Sequence, residues 1–85
     1  MEKITQEGIS RQLHAFIQNT IVEKHIVVQE DTPFNQLGID SMSIIELVLF
    51  IERKFRIAIP ESDLLPTNFA SVRTLADCAF RNQTS

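Results

Sequence analysis

The sequence predicts an all-α fold: a small four-helix bundle with a long loop between helices 1 and 2 and a short helix 3. Three observations carry this expectation. Apolar residues recur at helical spacing in three separate segments. The turn formers Pro33, Gly38, Pro60 and Pro66 fall between those segments. No stretch makes a credible sheet.

The first helix is expected across 5–22, because Ile9, Leu13, Phe16, Ile17 and Ile21 share one face. Gly8 should weaken its first turn. From Glu23 to Asp40 a short apolar run, Ile26 to Val28, gives way to loop chemistry at Asp31, Thr32, Pro33, Asn35 and Gly38. Phe34 and Leu37 are expected to pin this loop to the core, and a loop of such length in so small a protein is functional or well packed. The second helix should run from Ser41 to Phe55 and bury Ile44, Leu47, Val48, Ile51 and Phe55. Its opposite side carries Met42, Glu46, Leu49 and Arg53, flanked by Ile45 and Phe50. At least one of Met42 and Leu49 is expected to be exposed, as part of an apolar patch for a partner. In FRIAIP, residues 55–60, Pro60 excludes helical geometry for Ile59. A short helical turn follows at Glu61 to Leu65. The last helix starts near Ser71, a good N-cap, and runs to about Arg81 with Val72, Leu75, Ala76 and Ala79 inward.

Size and composition narrow the function. The 85 residues fit a single domain, 1–85, near the lower limit of what folds without staples. The apolar fraction of 44% excludes disorder as the reading. One cysteine excludes an internal disulfide framework and fits a reducing compartment. No stretch approaches the roughly 20 apolar residues that span a bilayer, and MEKITQEGIS does not resemble a signal peptide. A cytoplasmic protein without membrane attachment is therefore expected. A net charge of −3 argues against nucleic-acid binding, and without Trp or Tyr there is no stacking platform for single strands.

The chain offers little catalytic chemistry, and a non-enzyme is expected. His14 and His25 lack metal-ligand spacing and Cys78 has no CxxC partner, so they read as surface histidines and a helix-packed cysteine, with no metal site. There is no nucleophile elbow, phosphate loop or zinc helix. What remains is GIDSMS, residues 38–43. Ser41 opens a helix where backbone N–H groups lack partners and the dipole is positive, which suits a phosphate. Gly38 frees the preceding loop to present the hydroxyl. Asp40 adds a carboxylate that could cap the helix or help hold a cation. On the residues alone, a plain helix cap by Asp40 or Ser41 is the favoured reading of the Asp-Ser pair over a phosphate-bearing serine.

The wider context separates these readings. LGIDSMSIIELVLFIERKFRIAIPESDL, residues 37–64, strongly resembles the core of acyl and peptidyl carrier proteins. Gly38, Ile39, the triplet Asp40-Ser41-Met42, the helix through Phe55 and the pair Ile59-Pro60 all match. DTPFNQLG resembles the family's loop approach and NFASVRTLADCA its last helix, so the likeness covers nearly the whole chain. The resemblance implies a four-helix bundle of acyl-carrier type. It implies that a phosphopantetheinyl transferase, using coenzyme A and magnesium, attaches 4′-phosphopantetheine covalently to Ser41, beside the motif residue Asp40. The arm's thiol would then hold acyl or aminoacyl cargo as a thioester. Carried over by position, Met42, Ile45, Glu46, Leu49 and Arg53 become candidate partner-docking residues.

One feature departs from fatty-acid carriers, whose second helix is strongly acidic: here Glu52 is followed by Arg53, Lys54 and Arg56. Docking to basic enzyme patches should be weaker. The mixed-charge helix and the LLPTNFASVRTLADC ending look more like stand-alone peptidyl carriers of natural-product pathways. Such a carrier, expected to be monomeric, would meet an adenylation or acyl-loading enzyme, and then condensing, oxidising or releasing enzymes, in trans. A fatty-acid or polyketide carrier is the alternative within the class. Outside it stand an unmodified helical interaction module and, disfavoured by charge, a DNA-binding bundle.

Overall fold

The computed structural model describes residues 4–22 and 25–83. Met1 to Lys3 of the MEKITQEGIS reading, and Glu23 at the start of the expected loop, lie outside the described residues.

Helix α1 spans Gln6–Phe16 and is started by Thr5, whose hydroxyl accepts the Gly8 amide at 3.0 Å. A Cβ on Gly8 would meet that same hydroxyl oxygen at 3.1 Å, so the glycine that costs helix propensity makes room for the cap. The helix does not continue regularly to residue 22. Residues Ile17–Ile21 form a wider π turn closed by the Val22 amide on the Ile17 carbonyl, where β-branched Thr20, Ile21 and Val22 disfavour further α geometry. Helix α2 spans Ser41–Phe55 and ends at Arg56, in the left-handed conformation (φ 55°, ψ 42°) usually filled by glycine. Helix α3 spans Val72–Arg81 and begins with a reciprocal capping box between Ser71 and Thr74.

Among the described residues there are three α-helices and no strand. The short helix 3 expected at Glu61 to Leu65 is a 3-10 turn, Glu61–Asp63, and a second 3-10 turn, Pro66–Phe69, follows it. Pro66 separates the two, because it holds Leu65 extended (φ −106°, ψ 147°).

The core gathers Ile9 and Leu13 from α1, Ile17 from the π turn, Leu47 and Ile51 from α2, and Val72, Leu75, Ala76, Cys78 and Ala79 from α3. α1 packs most extensively on α3, where Ala76 and Ala79 permit close approach. α2 buries a narrower stripe than its periodicity predicts. Ile44, Val48 and Phe55 are only half-buried, because neighbouring elements cover just the Leu47–Ile51 line.

The segment from His25 to Asp40 is held from both sides. Gln18 clamps it with both ends of its amide: the NH2 donates to the Ile26 carbonyl and the oxygen accepts the Val28 amide. His14 Nε2 bonds the Val28 carbonyl, and the buried Ser10 hydroxyl donates to Glu30. The expectation that His14 is a surface histidine is therefore corrected: it faces the loop and helps fasten it. From α3, the Arg73 amide donates to the Glu30 carbonyl at 2.9 Å, while its guanidinium meets Asp31 at 2.8 Å. Phe34 is buried as expected, with its amide on the Ala70 carbonyl at 2.8 Å, and Leu37 packs partly buried beside the core.

Cys78 is fully buried in α3, and burial, reinforced by the nearby Asp63 carboxylate, pushes its thiol up from the ordinary range. A thiol held protonated inside the core is a packing group and a poor nucleophile.

Candidate functional site

The approach to α2 is built by one buried residue and one left-handed glycine. Phe34 opens a 3-10 turn, Phe34–Leu37, that ends at Gly38 with φ 73° and ψ 20°. The Ile39 amide returns to the Phe34 carbonyl at 3.1 Å and Ile39 enters the core, which delivers residues 40 and 41 to the surface.

Asp40, and not Ser41, is the cap. Its Oδ1 accepts the Ser43 amide at 3.0 Å, and the Ile44 amide closes the first helical bond on the Asp40 carbonyl. The Ser43 amide holds the Asp40 carboxyl below the usual carboxylate range. Ser41 is the first helical residue and is exposed; among the described residues its hydroxyl has no hydrogen-bond partner. The capping role is thus filled by Asp40, and the serine hydroxyl stands free at the positive end of a 15-residue helix.

A carboxyl whose folded pKa lies below its unfolded value adds stability that is present above the unfolded pKa and is lost as pH falls through the folded one. Asn caps as well as Asp but does not titrate. Wild type should therefore lose stability relative to Asp40→Asn below about pH 4, with no change in their difference at higher pH. Denaturant unfolding across that range checks this, and parallel profiles would refute it.

Met42, Ile45, Glu46, Leu49 and Arg53 all lie exposed, with Met42 at 70%, Ile45 at 55% and Leu49 at 42%. Both residues of the Met42–Leu49 pair are outside the core. Ser41, Ile45 and Leu49 share the wall of an apolar cleft of about 530 Å³, completed by Ile44, Val48, Leu64, Pro66 and Phe69. Glu46, Leu49 and Arg53 line a second cleft of about 410 Å³ with Phe16, Phe50 and Lys54, over a stacked Phe16–Phe50 pair at 4.4 Å. Met42 lines neither cleft and stands beside Ser41 on the outer surface.

Sequence reasoning missed the wall of the first cleft that Leu64, Pro66 and Phe69 form opposite α2. The available signal was the Leu64-Leu65 pair ahead of Pro66, two large apolar residues in a segment too short to bury them; both are exposed. Among the described residues, no group of three His, Cys, Asp or Glu side chains could hold a metal ion, and no helix is long and apolar enough to cross a membrane.

Comparison with known proteins decides the family. The phosphopantetheine attachment site family matches residues 15–79. The chain belongs to that family. A member is an attachment site for covalent 4′-phosphopantetheine. The chain is similar to Aminoacyl carrier protein 1 of Bradyrhizobium diazoefficiens, at 38% identity over 58 residues, 65% of this chain and 64% of that protein. It is also similar to the acyl carrier protein of Campylobacter lari, at 36% over 47 residues, 55% of this chain and 61% of that protein. The chain thus spans somewhat under two thirds of the length of these relatives.

Its fold superposes on a chain of the crystal structure of Bradyrhizobium japonicum glycine:[carrier protein] ligase complexed with cognate carrier protein and an analogue of glycyl adenylate. That match has a TM-score of 0.70 and 26% identity, and covers 92% of this chain and 97% of the other. A second structure of that ligase, with glycylated carrier protein, matches at TM-score 0.68 and 26% identity over 86% of this chain and 96% of the other.

The residues present fit such an arm. A free hydroxyl stands at the first turn of α2, where the helix dipole is positive and would favour a phosphodiester. The apolar wall running from Ser41 to Phe69 offers a dry surface beside it.

Proposed function

We propose that this chain is a carrier domain, modified on Ser41 with 4′-phosphopantetheine, that moves aminoacyl or peptidyl thioesters between enzymes of natural-product biosynthesis of the non-ribosomal peptide type. The observation that carries the proposal is the exposed, unengaged Ser41 hydroxyl at the start of α2, with Asp40 already serving as the cap. A phosphopantetheinyl transferase transfers the arm from coenzyme A: Ser41 Oγ attacks the pantetheine-bearing phosphorus of the pyrophosphate and forms the new phosphodiester bond. The pyrophosphate P–O bond breaks to release adenosine 3′,5′-bisphosphate, and the serine proton passes to a base of the transferase or to water. Asp40 stands beside that oxygen as a carboxylate able to help hold the magnesium ion used in the transfer. When attached, the arm supplies a thiol that holds cargo as a thioester. The domain itself does no chemistry; tethering raises the effective concentration of cargo at each docked enzyme.

Met42, Ile45, Glu46, Leu49 and Arg53 form the docking face of α2. Met42 suits this role because a flexible, polarizable side chain packs against more than one partner. The aminoacyl branch draws support from the similarity to Aminoacyl carrier protein 1 and to chains solved with a glycine:[carrier protein] ligase. A second reading, an acyl carrier of fatty-acid or polyketide synthesis, is favoured by the apolar cleft beside Ser41, which would suit an aliphatic cargo.

The test is intact mass of the holo protein after separate incubation with adenylation enzymes and with acyl-loading enzymes. An aminoacyl increment supports the first reading, and loading by acyl-transferring enzymes alone replaces it with the second. In the same assay Met42→Ala should slow loading by about ten-fold or more while changing stability by no more than about 0.5 kcal/mol, the ordinary range for an exposed site. A stability loss matching the loading defect would return Met42 to a structural role.

A further inference from the structure

The charges of this chain are distributed unevenly. Its net charge is −3, yet three of its eight Lys and Arg residues fall within residues 53–56. Elsewhere among the described residues every arginine is matched by a carboxylate: Arg11 by Glu7, Arg73 by Glu30 and Asp31, Arg81 by Asp77. Arg53, Lys54 and Arg56 are exposed and have no carboxylate within 4 Å among the described residues. The neighbouring Glu52 does not neutralise them, since its carboxylate turns to the Ile59 amide at 3.4 Å.

The helix dipole favours cations in a last turn, and that accounts for part of the pattern. It does not account for Arg56, which lies beyond the helix in a left-handed backbone conformation where glycine would be less strained. Nor does it account for what the cations surround. Arg53 and Lys54 rim the cleft whose floor is the stacked Phe16–Phe50 pair, with Leu49 at its edge. The acidic residue of that cleft, Glu46, lies toward the Ser41 end of α2, so the helix presents acid near Ser41 and base away from it.

We propose that the cleft of Phe16, Leu49 and Phe50, rimmed by Arg53 and Lys54 with Arg56 beyond it at the end of α2, receives a partner-protein surface carrying carboxylates around one protruding apolar side chain. The inference rests on the docking role proposed for α2 and states the chemistry of the partner. Unpaired cations left in a net-acidic protein attract acidic surfaces and repel basic ones, which sets encounter rate and selectivity. The arrangement also fixes orientation. Arg53 lies about 18 Å along the helix from Ser41, so the partner's acidic patch should sit about that far from the mouth that receives the arm.

The experiment uses the full chain, isotopically labelled, first converted to the holo form and checked by mass. Failure of the carrier reading is thereby seen separately, as absence of the arm. The protein is titrated with three short peptides, each holding one Phe flanked by Glu and Asp, by Gln and Asn, or by Lys, and with phosphatidylserine vesicles. The acidic peptide should shift the backbone amides of Phe16 and residues 49–56, and added salt should weaken it. The double variant Arg53→Glu, Lys54→Glu, at two exposed sites and with an unchanged circular dichroism spectrum, should lower its affinity about ten-fold or more. Equal binding of the neutral peptide, preferential binding of the basic peptide or the vesicles, shifts confined to another face, or no shift at all would each overturn the proposal.

Discussion

Phe34→Ala should be among the most damaging single substitutions in this chain, lowering stability by about 3–5 kcal/mol. Phe34 is 2% exposed, and its ring is the anchor on which the segment from His25 to Asp40 turns toward α2. A domain of this size has roughly 4–13 kcal/mol to lose, so the change consumes a large share of it. Thermal unfolding should move down by about 12 °C or more. The damage should reach function as well, because the Phe34 carbonyl accepts from Ile39 and thereby sets where Asp40 and Ser41 emerge. At a temperature where the variant is still folded, transfer of the arm should be slower than in wild type. An unchanged melting temperature would mean that the loop is held by the Gln18, His14 and Arg73 contacts alone.

Ser41→Ala should do the opposite. Ser41 is exposed and does not cap its helix, and Ala is a better helix former than Ser, so stability should stay within about 0.5 kcal/mol of wild type. Carrying capacity should fall to zero, since no thioester can form without the arm. With wild type and variant treated alike with coenzyme A and transferase, a thiol-reactive label applied to the folded proteins should mark only the wild type, because the sole cysteine is buried with its thiol pushed up. Labelling of the variant at Cys78 would show that the α3 core opens, and labelling elsewhere would place the arm on another residue.

The ends of α2 and α3 were legible in the sequence because local chemistry determines them. The Asp40-Ser41 pair ahead of an apolar run, and Ser71 ahead of the last helix, are cap signals, and the structure places the caps at Asp40 and Ser71. The apolar spacing of residues 9, 13 and 17 identified the buried line of α1 for the same reason. The misreadings came where distant residues decide the outcome. His14 looked like a surface residue because its partner, the Val28 carbonyl, lies fourteen residues away in an irregular segment. The width of the α2 core stripe depends on which neighbours cover it, and two 3-10 turns cover less than a continuous helix would, leaving Ile44 and Val48 in an open cleft. The effect of Pro66 on Leu65 is local and was readable: the helical turn expected at Glu61 to Leu65 stops ahead of it, and the structure has a 3-10 turn at Glu61–Asp63. At the site, the sequence left the cap and the modified residue as alternatives at positions 40 and 41. The geometry assigns the cap to Asp40, which leaves Ser41 for another use.

The most direct test of the central claim is the mass of the wild-type protein after incubation with coenzyme A, magnesium and a transferase of broad specificity. One phosphopantetheinyl increment is predicted, carried by the peptide containing Ser41 and absent from Ser41→Ala treated in parallel. No increment on the folded wild type, or an increment that persists in Ser41→Ala, would contradict the assignment of Ser41 as the attachment point.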